Sequence, residues 1–304
     1  MTEPQQPAES RDAQNDDSRS EAPTSTAPVQ ITPETDISTL SAAQLYDLNQ
    51  EFLNDSVPTR PLVDTLVPMS VLREEYENGS GLFLQQIDEL VEKGFKSIHR
   101  TRGDGDCFYR SLAFAYVSQL LASPDQAMSI ATSLSLIEST SDLLDMAGFQ
   151  KMVYEDFMES LTDIIKNVVG PDASGKKLDQ ETLLTKFQDA ETSNYVVVYL
   201  RLLTSAQIRA DPDTYSPFLF HPEAGVELEP REFCEAFVEA TGREADHVQI
   251  TALSRALQTN VKIAYLDGRS EKAEFVDFTN AVEPEMAPIH LLYRPGHYDI
   301  LVPA

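Results

Sequence analysis

The spacing of apolar residues divides the chain into a long helical stretch and a short strand-rich end. GLFLQQIDELVEKGF, residues 81–95, puts Phe83, Ile87 and Leu90/Val91 on one helical stripe closed by Gly94. SAAQLYDLNQEFLND sets Leu45, Leu48 and Phe52 at the same spacing and predicts a helix over 41–55. A further helix is predicted over 68–77, with Ser70 as its cap. CFYRSLAFAYVSQLL, 107–121, is apolar almost all round, the mark of a helix buried on most sides. Helices follow near 125–139, 141–148 and 151–168, and GPDASGKKLDQE (170–181) reads as a polar loop. YVVVYLRLLTSAQIR, 195–209, opens β-branched, but its length favours a helix, and PREFCEAFVEA and ADHVQITALSRALQ add two more. The last part changes period. VKIAYLD (261–267), EFVDF (274–278), IHLLYRP (289–295) and HYDILVP (297–303) read as strands between charged or Pro/Gly-bearing turns. The expectation is an α+β domain, mostly helical, with one largely antiparallel sheet formed late in the chain.

Residues 1–40 break this pattern. They are rich in Pro, Gln, Ser, Thr and acids and poor in large apolar residues, a composition that predicts disorder. The whole chain of 304 residues carries 50 Asp plus Glu against 23 Lys plus Arg, a net charge of −27. The first 40 residues supply only 6 of those negative charges, so the acidity belongs to the folded part. Such a surface repels phosphates, which argues against nucleic-acid and anionic-membrane binding and favours a basic protein partner. No apolar run reaches eighteen residues, and the N-terminus lacks the basic and apolar parts of a signal peptide. Two cysteines make no disulfide framework, so a reducing compartment is expected: the cytoplasm, with the nucleus left open.

Several motifs fail. GDGDCF lacks the third glycine of a dinucleotide fingerprint, and GPDASGKK has Lys177 where a phosphate loop needs Ser or Thr. There is no zinc-type Cys/His spacing and no G-x-S-x-G elbow, so no metal or cofactor is expected. What remains is Cys107, where a glycine-bearing loop runs into the long buried helix. A helix N-terminus favours a thiolate, and converging loop N–H groups suit an oxyanion. Asp104 is placed to accept backbone hydrogen bonds and stiffen that loop. A nucleophilic cysteine also needs a base. His297 follows the Pro295-Gly296 turn and opens the last strand, and Asp299 shares its face by strand alternation. The arrangement follows triad logic. His99, His247, His290 and Cys234 read as surface or packing residues.

The motif D-G-x-C-F-Y-R at Asp104–Arg110, with Y-R-P-G-H-Y-D-I-L some 190 residues later, resembles the otubains, ovarian-tumour-type cysteine proteases that remove ubiquitin. The likeness spans most of residues 58–304. It implies a papain-like/ovarian-tumour core, with 1–40 as a disordered acidic tail and 41–304 as the catalytic domain, of which 41–80 form an N-terminal helical arm. Carried over by position, Cys107 is the nucleophile, His297 the general base, Asp299 the residue orienting it, and Asp104 the motif aspartate of the catalytic loop and oxyanion hole. The residue before the cysteine is usually Asn in this family and is Asp106 here. Beside the sulfur it would oppose thiolate formation; pointing into water it would do little. The resemblance implies ubiquitin and polyubiquitin joined through lysine forty-eight as substrates, and a ubiquitin-conjugating enzyme as a further partner. The alternative is a non-catalytic module that binds ubiquitin or that enzyme and inhibits ubiquitin transfer. Complete retention of Cys107, His297 and Asp299 favours the enzyme. A hydrolase of small amides is the third reading.

Overall fold

The computed structural model describes residues 60–172, 175–281 and 287–304. The helix expected over 41–55 and the tail over 1–40 lie outside the described residues. The chain opens with β1 (Val63–Pro68), α1 (Met69–Glu75), α2 (Gly81–Glu92) and β2 (Phe95–Thr101). The helical body follows: α3 (Cys107–Ala122), α4 (Gln126–Met146), α5 (Lys151–Lys166), α6 (Gln180–Gln188), α7 (Ala190–Ala210), α8 (Pro212–Tyr215), α9 (Pro230–Phe237) and α10 (His247–Ala256). The end of the chain supplies β3 (Val261–Tyr265), β4 (Glu274–Phe278), β5 (Ile289–Arg294) and β6 (His297–Pro303).

The six strands form one sheet in the order β1-β2-β6-β5-β3-β4. Every neighbouring pair is antiparallel except β3 and β5, which run parallel. Its two faces bury different cores. Met69 and Leu72 of α1 and Ile87 and Leu90 of α2 pack with Leu292 and Leu301 on one face. Leu291, Tyr298 and Ile300 face the larger core built by α3, α4, α5 and α7. By strand alternation His297 and Asp299 share the Leu301 face, on the side of α1.

The sheet is not confined to the end of the chain, as the sequence pattern implied. β2 lies in its middle, and FKSIHRT hides this because only Phe95 and Ile98 are large and apolar, without a period of two. β1 is an edge strand interrupted by a register shift, with a mostly solvent-facing pattern. The two helices expected at 125–139 and 141–148 are one. Thr140 stays within α4 because its hydroxyl donates to the Ile137 carbonyl and pairs with Tyr199. The loop expected through 181 instead ends in α6, capped by Asp179, whose side chain accepts from Thr182 N at 2.8 Å. At α1 the cap is Pro68, with no side-chain cap bond, so Ser70 is inside the helix rather than ahead of it.

Candidate active site

Residues 103–107 are held by two buried arginines. Asp104 accepts from the Asp106 amide at 3.0 Å, an Asx-type turn, and its two oxygens each lie 2.9 Å from Arg110 Nη1. Arg110, on α3, is fully buried and also donates to Ser193 and Asn194 at the start of α7. Arg201, on α7 and equally buried, donates to Asp106 Oδ1 from Nε at 2.9 Å and from Nη2 at 2.5 Å. The Gly242 amide completes that carboxylate's shell at 3.0 Å. The loop is thus clamped between two helices by two charge-assisted pairs.

Gly105 lets the loop take this path. Its φ is +78°, and a Cβ there would lie 2.3 Å from the Gly242 carbonyl oxygen. Conformation and space both exclude a side chain. The result sets Cys107 at the first position of α3, beyond Asp106, with first-turn N–H groups that have no acceptor within the helix. Asp104 therefore stiffens the loop through Arg110 and through the Asp106 amide. Asp106 does not point into water, one of the two placements considered from sequence: it is buried and its carboxylate meets Arg201. Its carboxylate is drawn into the Arg201 pair because a buried guanidinium needs an anion more than the surface needs another acid.

On the other side of the site, the Pro295-Gly296 turn joins β5 to β6 and puts Arg294 opposite His297. His297 and Asp299 are fully buried, with Nε2 2.9 Å from Asp299 Oδ1. Oδ1 also accepts from the Thr101 amide at 2.9 Å, and Oδ2 accepts from Arg294 Nη2 at 2.6 Å. Burial works to raise the Asp299 pKa, but Arg294, His297 and the Thr101 N–H outweigh it and hold the group far below the usual carboxylate range. An ionised carboxylate only accepts, so the imidazole proton sits on Nε2. Nδ1 keeps its lone pair and makes no hydrogen bond among the described residues.

Cys107 is buried, and burial pushes its thiol up to about 12. A hydrogen bond at the Tyr298 backbone opposes this, while Asp104, Glu244 and Asp299 add to it. Asp106 is not among these charges. Burial thus favours the neutral thiol over the thiolate at rest. The ordering half of the site, His297 with Asp299, is built in advance.

The other sequence candidates are elsewhere. His99 pairs with the Asp64 carbonyl and packs on Phe114, and His290 packs on Phe95. His247 is an exposed residue beside Asp246, and Cys234 is core, with its thiol at the Ser205 carbonyl. Sequence reasoning missed Thr101, Arg110, Arg201 and Arg294. Arg110 and Arg201 had left a signal: each is a lone cation inside an almost wholly apolar run, and a buried cation requires an acid nearby. Among the described residues no cluster of three or more His, Cys, Asp or Glu could hold a metal ion.

A thiol at the start of a buried helix and a strand-borne imidazole paired with a carboxylate are the parts of a cysteine protease of papain-like architecture. The chain belongs to the otubain family: the family described as Peptidase C65 Otubain matches residues 55–303. It is 34% identical over 269 residues to the ovarian-tumour-domain-containing deubiquitinating enzyme 1 of Arabidopsis thaliana, covering 83% of this chain and 84% of that protein. It is 35% identical over 242 residues to the human ubiquitin thioesterase OTUB1, covering 79% and 83%. The fold superposes with a TM-score of 0.71 and 28% identity on an OTUB1 chain solved with ubiquitin aldehyde and UBC13~Ub, covering 86% of this chain and 98% of that one. The protein is a thiol-dependent deubiquitinating enzyme.

Proposed function

We propose that the protein hydrolyses isopeptide bonds between ubiquitin and lysine, preferring polyubiquitin joined through lysine forty-eight. The observation that carries the chemistry is the buried His297–Asp299 pair, which leaves Nδ1 without a hydrogen-bond partner among the described residues. His297 takes the thiol proton as sulfur attacks the carbonyl that follows ubiquitin's terminal Gly-Gly. The oxyanion forms beside the first-turn N–H groups of α3. Collapse breaks the carbon–nitrogen bond, and His297 returns the proton to the departing lysine amine. Water then attacks the thioester with His297 accepting its proton, the carbon–sulfur bond breaks, the proton returns to the sulfur, and ubiquitin is released with a free C-terminal carboxylate.

A groove of about 240 Å³ is lined by Glu244, Asp246, His247, Tyr265, Tyr293 and Tyr298, and Glu244 and the Tyr298 backbone also act on the Cys107 thiol. Two acids and three tyrosines suit an extended, cationic, partly apolar peptide, in line with the −27 net charge. The lysine forty-eight preference rests on the otubain likeness. A panel of differently linked diubiquitins tests it: selective loss of that linkage supports the reading, and equal cleavage of all linkages refutes it. Adduct formation at Cys107 with a ubiquitin C-terminal electrophile tests the chemistry separately.

A second reading is favoured by the neighbours themselves, which are described as OTUB1 complexes with UBC13~Ub and UBCH5B~Ub. We propose that this chain also binds a charged ubiquitin-conjugating enzyme and slows ubiquitin transfer. Inhibition retained in the Cys107→Ala variant would support it, and none would remove it. Two buried free thiols suit action in the reducing cytoplasm or nucleus.

A further inference from the structure

The charge on Asp299 is not set by His297 alone. Arg294, opposite His297 on the β5–β6 hairpin, is 4% exposed, and its guanidinium lies between two carboxylates. Nη2 is 2.6 Å from Asp299 Oδ2, and Nη1 is 3.5 Å from Glu75 Oε2. Glu75 is the last residue of α1 and is itself gripped by Arg100 of β2 through a short ion pair, with Arg60 at 3.9 Å. Arg100 is also buried, and it precedes Thr101, whose amide binds Asp299. The placement follows from the sheet: Arg294, His297 and Asp299 share the face that α1 covers.

Building on the thiol-protease assignment, we propose that Glu75 and Arg294 are positioning residues for the reaction, a chain running Glu75–Arg294–Asp299 through ion pairs and on to His297 through a hydrogen bond, which sets the charge of the catalytic centre from α1. Arg294 keeps Asp299 ionised whether His297 is neutral or protonated, so the ring orientation survives both proton transfers. Glu75 acts on the arginine. It holds the far side of the guanidinium and tempers the positive charge that three arginines would otherwise focus on the site. Neither touches substrate or the reacting atoms.

Other charges face the same centre. Arg60, from the segment before β1, and Tyr76, after α1, lie on the arginine side. Asp104, before α3, and Glu244, before α10, act on the thiol side. All of these are common to the variants below, so differences between variants report Glu75 and Arg294. The two substitutions carry opposite signs. Arg294→Gln removes a positive charge, disfavours the thiolate and moves the alkaline limb of Cys107 reactivity to higher pH. Glu75→Gln removes a negative charge and moves it to lower pH. Asp299 remains ionised throughout that limb, which lies far above any carboxylate titration.

The experiment is the pH dependence of Cys107 alkylation by iodoacetamide in the intact chain, with cooperative unfolding checked for each variant. At a fixed pH below the limb, Arg294→Gln should label about three-fold more slowly and Glu75→Gln about three-fold faster, the equivalent of about half a pH unit each way. Arg294→Lys keeps the charge without the fork, so its limb should return toward the parent while its turnover of a fluorogenic ubiquitin substrate stays reduced. Should Arg294→Gln not fold, Glu75→Gln against Glu75→Asp decides: a downward shift in the first that is absent in the second supports the chain. Shifts of the same sign in both Gln variants, or none in folded proteins, would overturn it. Alkylation needs no ubiquitin, so failure of the parent protein to cleave ubiquitin would sink the functional reading and leave this result standing.

Discussion

Asp106 adjoins the nucleophile in sequence but binds Arg201, with its Oδ1 2.9 Å from the Nε of a guanidinium that is fully buried on α7. Arg201 also donates to the carbonyls of Val238, Gly105 and Arg243, and its guanidinium lies over the Tyr109 ring with its centre 4.3 Å from the ring centroid. The carboxylate is therefore the counter-charge of a structural cation that ties the catalytic loop to α7. Its charge is offset at close range by that guanidinium, so the pair presents little net field to the sulfur.

Asp106→Asn, the residue usual in the family, should leave the pH dependence of Cys107 alkylation superimposable on the parent. Its amide oxygen can still accept from Arg201 and the Gly242 amide, but the charge is gone. The cost should be about 1–3 kcal/mol, the scale of a charge-assisted bond made neutral. Asp106→Ala leaves the cation with carbonyl partners alone and should cost about 3–5 kcal/mol. Urea unfolding of both variants measures the difference. A large upward or downward move of the alkylation curve in the Asn variant would show that the carboxylate reaches the sulfur after all.

The loop glycines allow a sharper comparison. Gly94 (φ +98°) and Gly105 (φ +78°) both have left-handed backbone, but a Cβ at Gly94 meets nothing within 4 Å while one at Gly105 would strike the Gly242 backbone. Gly94→Ala should cost about 1–2 kcal/mol, the conformational term alone. Gly105→Ala carries the same term plus a backbone clash that only movement of the loop relieves. It should cost at least about 2 kcal/mol more than Gly94→Ala, since overpacking against fixed atoms adds about 1–3 kcal/mol, and turnover should fall at least ten-fold. Equal stability losses in the two variants would mean that the 105–242 approach relaxes freely.

The contrast between what the sequence disclosed and what it concealed has one physical origin. The placements of Cys107 at a helix start and of His297 beside Asp299 were legible because local rules set them: a loop entering a helix, and a two-residue spacing on a strand. The strands at 261–303 were legible because their apolar periods are clean. Arg201, Arg110 and Arg294 act across 95, 6 and 5 residues of chain, respectively, and their meaning lies in which acid each meets. β2 has no period of its own because its face toward α1 and α2 is short and its other face meets mixed polar and aromatic neighbours such as Phe114 at His99. Pairing between β2 and β6 joins residues some 200 positions apart, and no local pattern reports it.

The catalytic pair should show in turnover before it shows in stability. Cys107→Ala removes one sulfur from a buried site and leaves the His297–Asp299 pair untouched, so folding should be retained and hydrolysis abolished. His297→Ala should also abolish turnover. It strips Asp299 of one of its donors while Arg294 and Thr101 remain, so the protein should still fold cooperatively, at a cost of about 1–3 kcal/mol. Thermal unfolding beside a fluorogenic ubiquitin assay checks both. Measurable turnover in folded Cys107→Ala would remove the thiol from the mechanism.

Asp299→Asn tests the buried carboxylate from the side of pH. Oδ1 faces two donors, the Thr101 amide and His297 Nε2, and Oδ2 faces a third, Arg294. An amide has one oxygen, so either orientation sets its NH₂ against a donor, and turnover should drop at least a hundred-fold with the imidazole no longer held. The pKa of Asp299 is depressed in the folded protein. Below the unfolded value of about 4, the unfolded chain binds a proton that the native state refuses. The stability this group contributes is thus fully present above that pH and declines by up to about 1.4 kcal/mol for each unit below it. Asp299→Asn should be less stable than the parent at neutral pH and should lose less as the pH falls from 5 to 3. Urea midpoints for both proteins across that range give the slopes. Parallel slopes would mean that Asp299 takes up its proton in the folded state near the ordinary carboxylate pH, and that Arg294 does not hold it ionised.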